Sequence, residues 1–215
     1  RLGTGDQYVY VAADVYRLPF VAGLFDGATM IRTLHHMADA PKALQQVRSV
    51  LQENAVFILE YANKKNLKAI LRYLLGKQKW NPFSAEPVEF AALNFDFHPR
   101  YIRSWLKNTG FEIQRQLTVS HYRMGLFKKL IPLKILVWMD SMAQLTGDAW
   151  QLSPSVFSRN LAIGTIETAQ PGSFFKCPVC DSALDDTPPL LTCQKCGQEY
   201  PVENGIYDFR LEALK

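Results

Sequence analysis

Before position 177 this 215-residue chain has no cysteine, which excludes a disulfide framework for the bulk of the molecule. Long apolar runs are missing as well. The longest, around Leu130 to Met139, is broken by Pro132 and Lys134, and no charged-then-apolar leader is read ahead of it, so a spanning helix is not expected. Internal repeats and low-complexity tracts are absent, which removes the solenoid and fibrous classes. A hydrophobic content of 48% is that of a globular protein, and the length suits one full domain with a small appendage. The expectation is a soluble, cytoplasmic protein whose thiols stay reduced.

Acidic residues are missing from two stretches. Residues 61–85 hold Lys64, Lys65, Lys68, Arg72, Lys77 and Lys79, and residues 113–139 hold Arg115, Arg123, Lys128, Lys129 and Lys134, with no Asp or Glu in either. These eleven of the 24 basic residues leave 13 to balance 20 acidic ones elsewhere, so positive charge is segregated. That segregation suits an anionic partner such as RNA or a lipid headgroup. A solvated helix face is the plainer alternative.

What is present in the tail is more specific. Cys177-Pro-Val-Cys180 and Cys193-Gln-Lys-Cys196 are two C-x-x-C pairs separated by twelve residues, the spacing of two knuckles closing a four-sulfur zinc site. Gly197 suits the left-handed exit of one knuckle and Asp181 tolerates it in the other. A thioredoxin-like redox pair fits less well, because such motifs come singly at a helix start and Pro178 with Pro188-Pro189 favours turns. A closed four-thiolate shell leaves no open position for water, so the metal is expected to hold a fold together without catalysing.

The order of elements reads as alternating strand and helix. Residues 8–13 form a β-branched buried strand and residues 28–31 a second. Pro41 opens a helix with Ala43, Leu44, Val47, Val50 and Leu51 on one face and Asp39 as N-cap, and residues 55–60 make a third strand. A helix over residues 63–77 capped by Asn63, an irregular lid over 80–98 and a helix over 99–107 ending at Gly110 follow. A strand over 111–120, an apolar helix over 132–145 closed by Gly147 and a last strand over 156–166 complete the series. This is the grammar of a mostly parallel, doubly wound α/β sheet. The expected division is a domain over 1–168, a linker over 169–174 and a small module over 175–212.

The run Asp14-Val15-Tyr16-Arg17-Leu18-Pro19-Phe20, then Phe25-Asp26, then Leu34-His35-His36-Met37 resembles the middle of a class I S-adenosylmethionine-dependent methyltransferase, over about residues 6 to 168. The resemblance implies a Rossmann-like sheet with the cofactor across the strands' carboxyl ends. It also implies that Asp14 accepts from the adenine amine, that Val15 offers its amide, and that Arg32 and Thr33 line the methionine portion. An Asp capping the next turn is the alternative for Asp14. His36 is a weak candidate for a general base; His98, Tyr101, His121 and Tyr122 are candidates for the acceptor side or for packing. The family's glycine-rich loop has no counterpart ahead of Asp14, since Gly3-Thr4-Gly5 neither follows a strand nor opens a helix. The chain is therefore expected to be N-terminally incomplete and to bind the cofactor weakly as it stands.

The tail, with Tyr200-Pro201 and Gly205-Ile206 through Asp208-Phe209, resembles small zinc-ribbon partner subunits of methyltransferases acting on tRNA, ribosomal RNA and release factors. That resemblance implies strand pairing to the enzyme and a stabilising or substrate-presenting role. Two acceptor classes follow: RNA or a translation factor, from the ribbon and the basic stretches, or a hydrophobic small molecule beneath the apolar helix and the aromatic lid. A non-catalytic binding module on a methyltransferase-like scaffold is the third reading.

Overall fold

The computed structural model describes residues 8–122 and 129–211. The central sheet begins with β2 (Phe25–Met30) and β3 (Leu51–Ala62), which run parallel and are joined by the helix α1 (Ala40–Val50). α1 forms where expected: the Asp39 carboxylate accepts from the Lys42 amide at 3.1 Å, and Ala43, Leu44, Val47 and Val50 are buried. Arg48 on the same helix is buried too. Its guanidinium donates to the carbonyls of Leu51, Gly110, Ile163 and Gly164, so one cation collects the strand ends that α1 covers.

β3 pairs antiparallel with β7 (Ser155–Ala162), which pairs antiparallel with β6 (Phe111–Val119), giving the order β2-β3-β7-β6. The carboxyl ends of β2, β3 and β6 therefore share one end of the sheet with the start of β7. Leu44, Leu51, Phe57, Leu59, Tyr61, Ile102, Leu106 and Phe111 are among the core side chains, with α3 (Pro99–Asn108) lying across them.

Several details depart from the sequence-based expectation. The helix after β3 is short, α2 (Leu67–Leu74), and its cap is Asn66, whose side chain accepts from the Ala69 amide at 2.9 Å. Asn63 instead extends the strand, pairing with Phe97 and donating to the carbonyls of Gln151 and Ser153. Leu67, Leu71, Leu74 and Leu75 are exposed. The lid is not wholly irregular: β4 (Val88–Ala91) and β5 (Asn94–Asp96) form a hairpin. Gly147 does not terminate the apolar helix α4 (Leu133–Gln144). It allows a close backbone approach to β6, where a Cβ would lie 2.4 Å from the Gln116 carbonyl.

The least expected contact is at the other edge. β1 (Tyr10–Ala12) does not join the central sheet; it pairs parallel with β12 (Ile206–Asp208) from the tail. β12 pairs with β11 (Glu199–Glu203) and β11 with β10 (Leu190–Thr192), giving the order β1-β12-β11-β10. Asn204-Gly205 makes the β11–β12 turn with both residues at positive φ, as a two-residue hairpin of the I′ type requires. A short hairpin of β8 (Phe175–Lys176) and β9 (Ala183–Leu184) sits alongside. Phe20, Phe25, Phe174 and Phe175 stack edge and face at 4.8–6.2 Å between centroids and join the two cores. The Lys176 amide donates to the Pro19 carbonyl at 2.8 Å and the Val21 amide to that of Phe174 at 3.1 Å.

Candidate functional site

At the carboxyl end of β1, Asp14 is half-buried. Its Oδ1 accepts from the Tyr16 amide at 2.9 Å, so the turn-capping role is realised; the hydrogen bonds of the described residues engage only this oxygen. One reading therefore does not displace the other: a carboxylate has acceptor sites to spare for an exocyclic amine. Val15 packs against the main core. The Tyr16 hydroxyl accepts from the Asp39 amide at 3.0 Å and the Lys42 ammonium lies 5.5 Å from its ring, which ties the Asp14 turn to the N-terminus of α1.

At the carboxyl end of β2, Arg32 adopts a left-handed backbone, φ +56°. Its amide donates at 2.8 Å to Oε2 of Glu60, a carboxylate only 7% exposed near the end of β3. The other oxygen of Glu60 accepts from the Ser155 hydroxyl at the start of β7. Glu60 thus spans three adjacent strand ends with one charge, and the sequence reading missed it. Its signal was an acid ending a run of buried apolar residues. Thr33 turns its hydroxyl back to the Ile31 carbonyl at 3.0 Å.

His35 and His36 lie in a single 3-10 turn with ring centroids 4.0 Å apart. Burial and the adjacent His36 ring push His35 below its ordinary pKa, against the pull of Glu60. His36 Nδ1 lies 3.0 Å from the Leu93 carbonyl in the β4–β5 turn. That contact requires the proton on Nδ1 and leaves Nε2 as the basic nitrogen. Of the other candidates, His121 bonds Asp140 and Tyr101 packs on the Trp105 ring at 5.6 Å. Hydrogen bonds from His121 hold Asp140 below its ordinary pKa although burial alone would raise it.

The basic stretches do not form one face. Lys64 is fully buried: its ammonium donates to the Ser84 hydroxyl at 2.9 Å and the Glu86 carbonyl at 2.6 Å, anchoring the lid. Burial lowers its pKa, and burial pushes nearby Asp96 up to about 6 despite the opposing Lys64 charge. Arg115, Lys129 and Lys134 are exposed, and Arg123 and Lys128 lie outside the described residues. α4 is not core. Only Leu136 is buried, while Leu133, Val137 and Trp138 are 74%, 57% and 65% exposed.

The cysteines converge. The four Sγ atoms lie within 4.8 Å of one another, with 3.7 Å between Cys177 and Cys196 and 3.5 Å between Cys180 and Cys193. Tetrahedral thiolates at a Zn–S distance of about 2.3 Å stand roughly 3.8 Å apart, so the donor set and spacing fit zinc. The two knuckles are copies of one another. In each, the first cysteine amide donates to the carbonyl five residues on, and its carbonyl accepts from the amide four residues on, all at 2.8 Å. Those exits are Asp181 at φ +59° and Gly197 at φ +75°, as the sequence suggested. Sequence reasoning missed the supporting groups: Ser182 Oγ lies 3.1 Å from both Cys180 and Cys193, and the buried Tyr200 hydroxyl 3.1 Å from Cys177. The Ser182 hydrogen bond foremost holds the Cys193 thiol down at about 6.

The parallel β2–α1–β3 unit, the antiparallel β7 and β6, and a polar cluster at the carboxyl ends define a Rossmann-like methyltransferase fold. A family model described as a methyltransferase domain matches residues 6–116, just over half of the chain, and the chain belongs to that family. It is 41% identical over 58 residues to the 2-phytyl-1,4-naphtoquinone methyltransferase of Trichormus variabilis, a match covering 26% of this chain and 25% of that protein. Among solved structures, the complex between the Haloferax volcanii Trm112 methyltransferase activator and a methyltransferase contains a similar chain: TM-score 0.49 at 11% identity, covering 75% of this chain and 65% of that one. An S-adenosylmethionine-dependent methyltransferase from Thermotoga maritima gives a TM-score of 0.42 at 14% identity, covering 69% and 61%. The chain thus spans a quarter of the curated relative and under two thirds of these structures. No helix among the described residues is long and apolar enough to cross a membrane.

Proposed function

We propose that this protein contributes to S-adenosylmethionine-dependent methyl transfer, with a zinc ribbon built from its own tail. The observation that carries the reading is the family match over residues 6–116, together with a carboxylate at the end of β1 and polar groups at the ends of β2 and β3. Bound there, S-adenosylmethionine supplies an electrophilic methyl on a sulfonium. The chain's share is positioning. Asp14 accepts from the adenine amine beside the Val15 amide, and Arg32 and Thr33 line the methionine portion, with Glu60 fixing the Arg32 backbone. His36, protonated on Nδ1 by its bond to Leu93, offers Nε2 to the proton of an acceptor nucleophile. Alignment of nucleophile and methyl supplies most of the rate. The Cys177, Cys180, Cys193 and Cys196 shell holds zinc as a structural ion.

The acceptor is a small molecule in this proposal. Burial of Lys64 breaks the first basic stretch, which weakens the RNA reading, whereas exposed apolar α4 suits a partly apolar acceptor. The Trichormus variabilis relative, named for a naphthoquinone, supports the same choice. The test incubates the full-length protein with methyl-tritiated S-adenosylmethionine and separate RNA, protein and small-molecule extracts. Label in the small-molecule fraction, lost in Asp14→Ala, is expected. Label confined to RNA refutes the acceptor class, and label nowhere refutes the enzyme.

A further inference from the structure

The carboxyl end of the sheet carries a second polar hollow, on the β7 and β6 side of β3. Its volume is about 750 Å³, and Lys65, His98, Arg100, Arg103, Trp150 and Gln151 line it. All its titratable lining groups are basic. Among the described residues, no carboxylate forms an ion pair with Lys65, His98, Arg100 or Arg103. The lining groups come from different elements: Lys65 follows β3, while His98, Arg100 and Arg103 belong to the cap and first turns of α3. Gathering them costs repulsion that solvent only partly screens.

The back of the hollow is a fixed polar wall. Buried Gln151 accepts from the Tyr61 hydroxyl at 2.8 Å and donates to Gln116 Oε1 at 2.8 Å and the Gly147 carbonyl at 2.9 Å. Gln116, 3% exposed, also accepts from Arg103 Nε at 3.1 Å. Arg103 is thereby aimed through Nε, which keeps its terminal nitrogens for a ligand. At the helix start, His98 Nδ1 accepts from the Arg100 amide at 3.1 Å, so its proton sits on Nε2 and the neutral ring is a donor. Burial, then Lys65, Lys64, Arg100 and Arg103, all push His98 below its ordinary pKa. Trp150, 70% exposed, offers a ring face at the rim.

We infer that this hollow binds an oxyanion, a phosphate or a carboxylate, carried by the small-molecule acceptor, with Lys65, Arg100 and Arg103 neutralising it and Trp150 covering the group that bears it. Its position suits an acceptor subsite: it shares the strand ends with Arg32 and Thr33 but lies across β3 from them. A concave pocket with one cluster of charge fits a single anionic group, where a polynucleotide would call for a longer track. The subsite role rests on the methyl-transfer reading; oxyanion binding does not.

Titration calorimetry of the intact chain with inorganic phosphate and with benzoate, at constant ionic strength set with chloride, tests it. Saturable binding of at least one probe is expected, and whichever binds names the oxyanion. Arg100→Gln, Arg103→Gln and Lys65→Gln should each weaken it about tenfold, with partial recovery in Arg100→Lys. Arg72→Gln, on α2 away from the hollow, should leave it unchanged. Because Arg103→Gln also breaks a bond to Gln116, Arg100→Gln and Lys65→Gln serve as the variants whose fold is not in question. No saturable binding of either probe, an equal loss in Arg72→Gln, or binding of a short single-stranded RNA while both probes fail would overturn the inference. Intact oxyanion binding without methyl transfer to any acceptor would refute only the enzyme reading.

Discussion

Replacing Glu60 tests the organisation of the candidate cofactor site at its most concentrated point. The carboxylate accepts from the Arg32 amide and from the Ser155 hydroxyl while nearly excluded from water. Glu60→Gln keeps an acceptor for Arg32 and can turn its amide toward Ser155, which then accepts. What is lost is charge assistance in two bonds, about 1 kcal/mol each, so a destabilisation of about 1–3 kcal/mol is expected. Glu60→Ala leaves the Arg32 amide and the Ser155 hydroxyl without this partner and opens a small cavity, for roughly 3–5 kcal/mol. It also releases Arg32 from φ +56°, a region non-glycine residues leave when not held. Urea unfolding at neutral pH should rank wild type above Gln and Gln above Ala, with an unchanged denaturant slope. Equal stability of wild type and Ala would refute the role assigned to Glu60, and equal losses in Gln and Ala would show that the charge, not the hydrogen-bond geometry, matters.

Metal analysis of protein purified under reducing conditions should find one zinc per chain, reduced to a small fraction by Cys193→Ser; no metal in the wild type would remove the site. Phe175, 1% exposed and packed on Phe20, Phe174, Tyr207 and Phe209, should cost about 3–5 kcal/mol as Phe175→Ala and split urea unfolding into two transitions; a single unshifted transition would contradict the joined cores. Asp96 titrates near 6 when folded against 3.8 in the unfolded chain, so its contribution is fully present below pH 3.8 and lost as pH rises through 6. Asp96→Asn should flatten that segment of the stability profile, and an unchanged profile would show that Asp96 is not the group concerned. His98 has the opposite sign: held below the ordinary 6.5, its share is present above that value and declines as the pH falls and Nδ1, the acceptor for Arg100, protonates. His98→Asn, another capping residue, should remove the decline.

Local chemistry was legible in the sequence where one residue decides the outcome. Asp39 caps α1, Asp181 and Gly197 turn the knuckles, and Gly110 ends α3 at φ +85°. Legibility failed where two similar residues compete or where the partner is distant. Asn63 and Asn66 are equally good caps by type; the pairing of Asn63 with Phe97 decides for Asn66, and no local pattern contains that pairing. Gly147 reads as a terminator, yet its lack of a side chain serves contact with Gln116. The apolar composition of α4 says what it avoids, not what it meets, so its exposure could not be anticipated. The candidates Asp14 and the four cysteines, like the β2–α1–β3 unit, came from motifs; Glu60, Gln116 and Gln151 did not, since buried hydrogen-bonding side chains from separate strands carry no fixed spacing.

The parallel pairing of β1 with β12 brings together strands far apart in the sequence, Tyr10–Ala12 and Ile206–Asp208, as a unimolecular event. A tethered strand faces its partner at an effective concentration on the order of millimolar, so dilution cannot separate the two as it would a subunit. The strand leading into Asp14 therefore stays beside the ribbon at any protein concentration. The hold on the turn at Asp14 is thus a property of one chain's own fold and not of the abundance of a second protein.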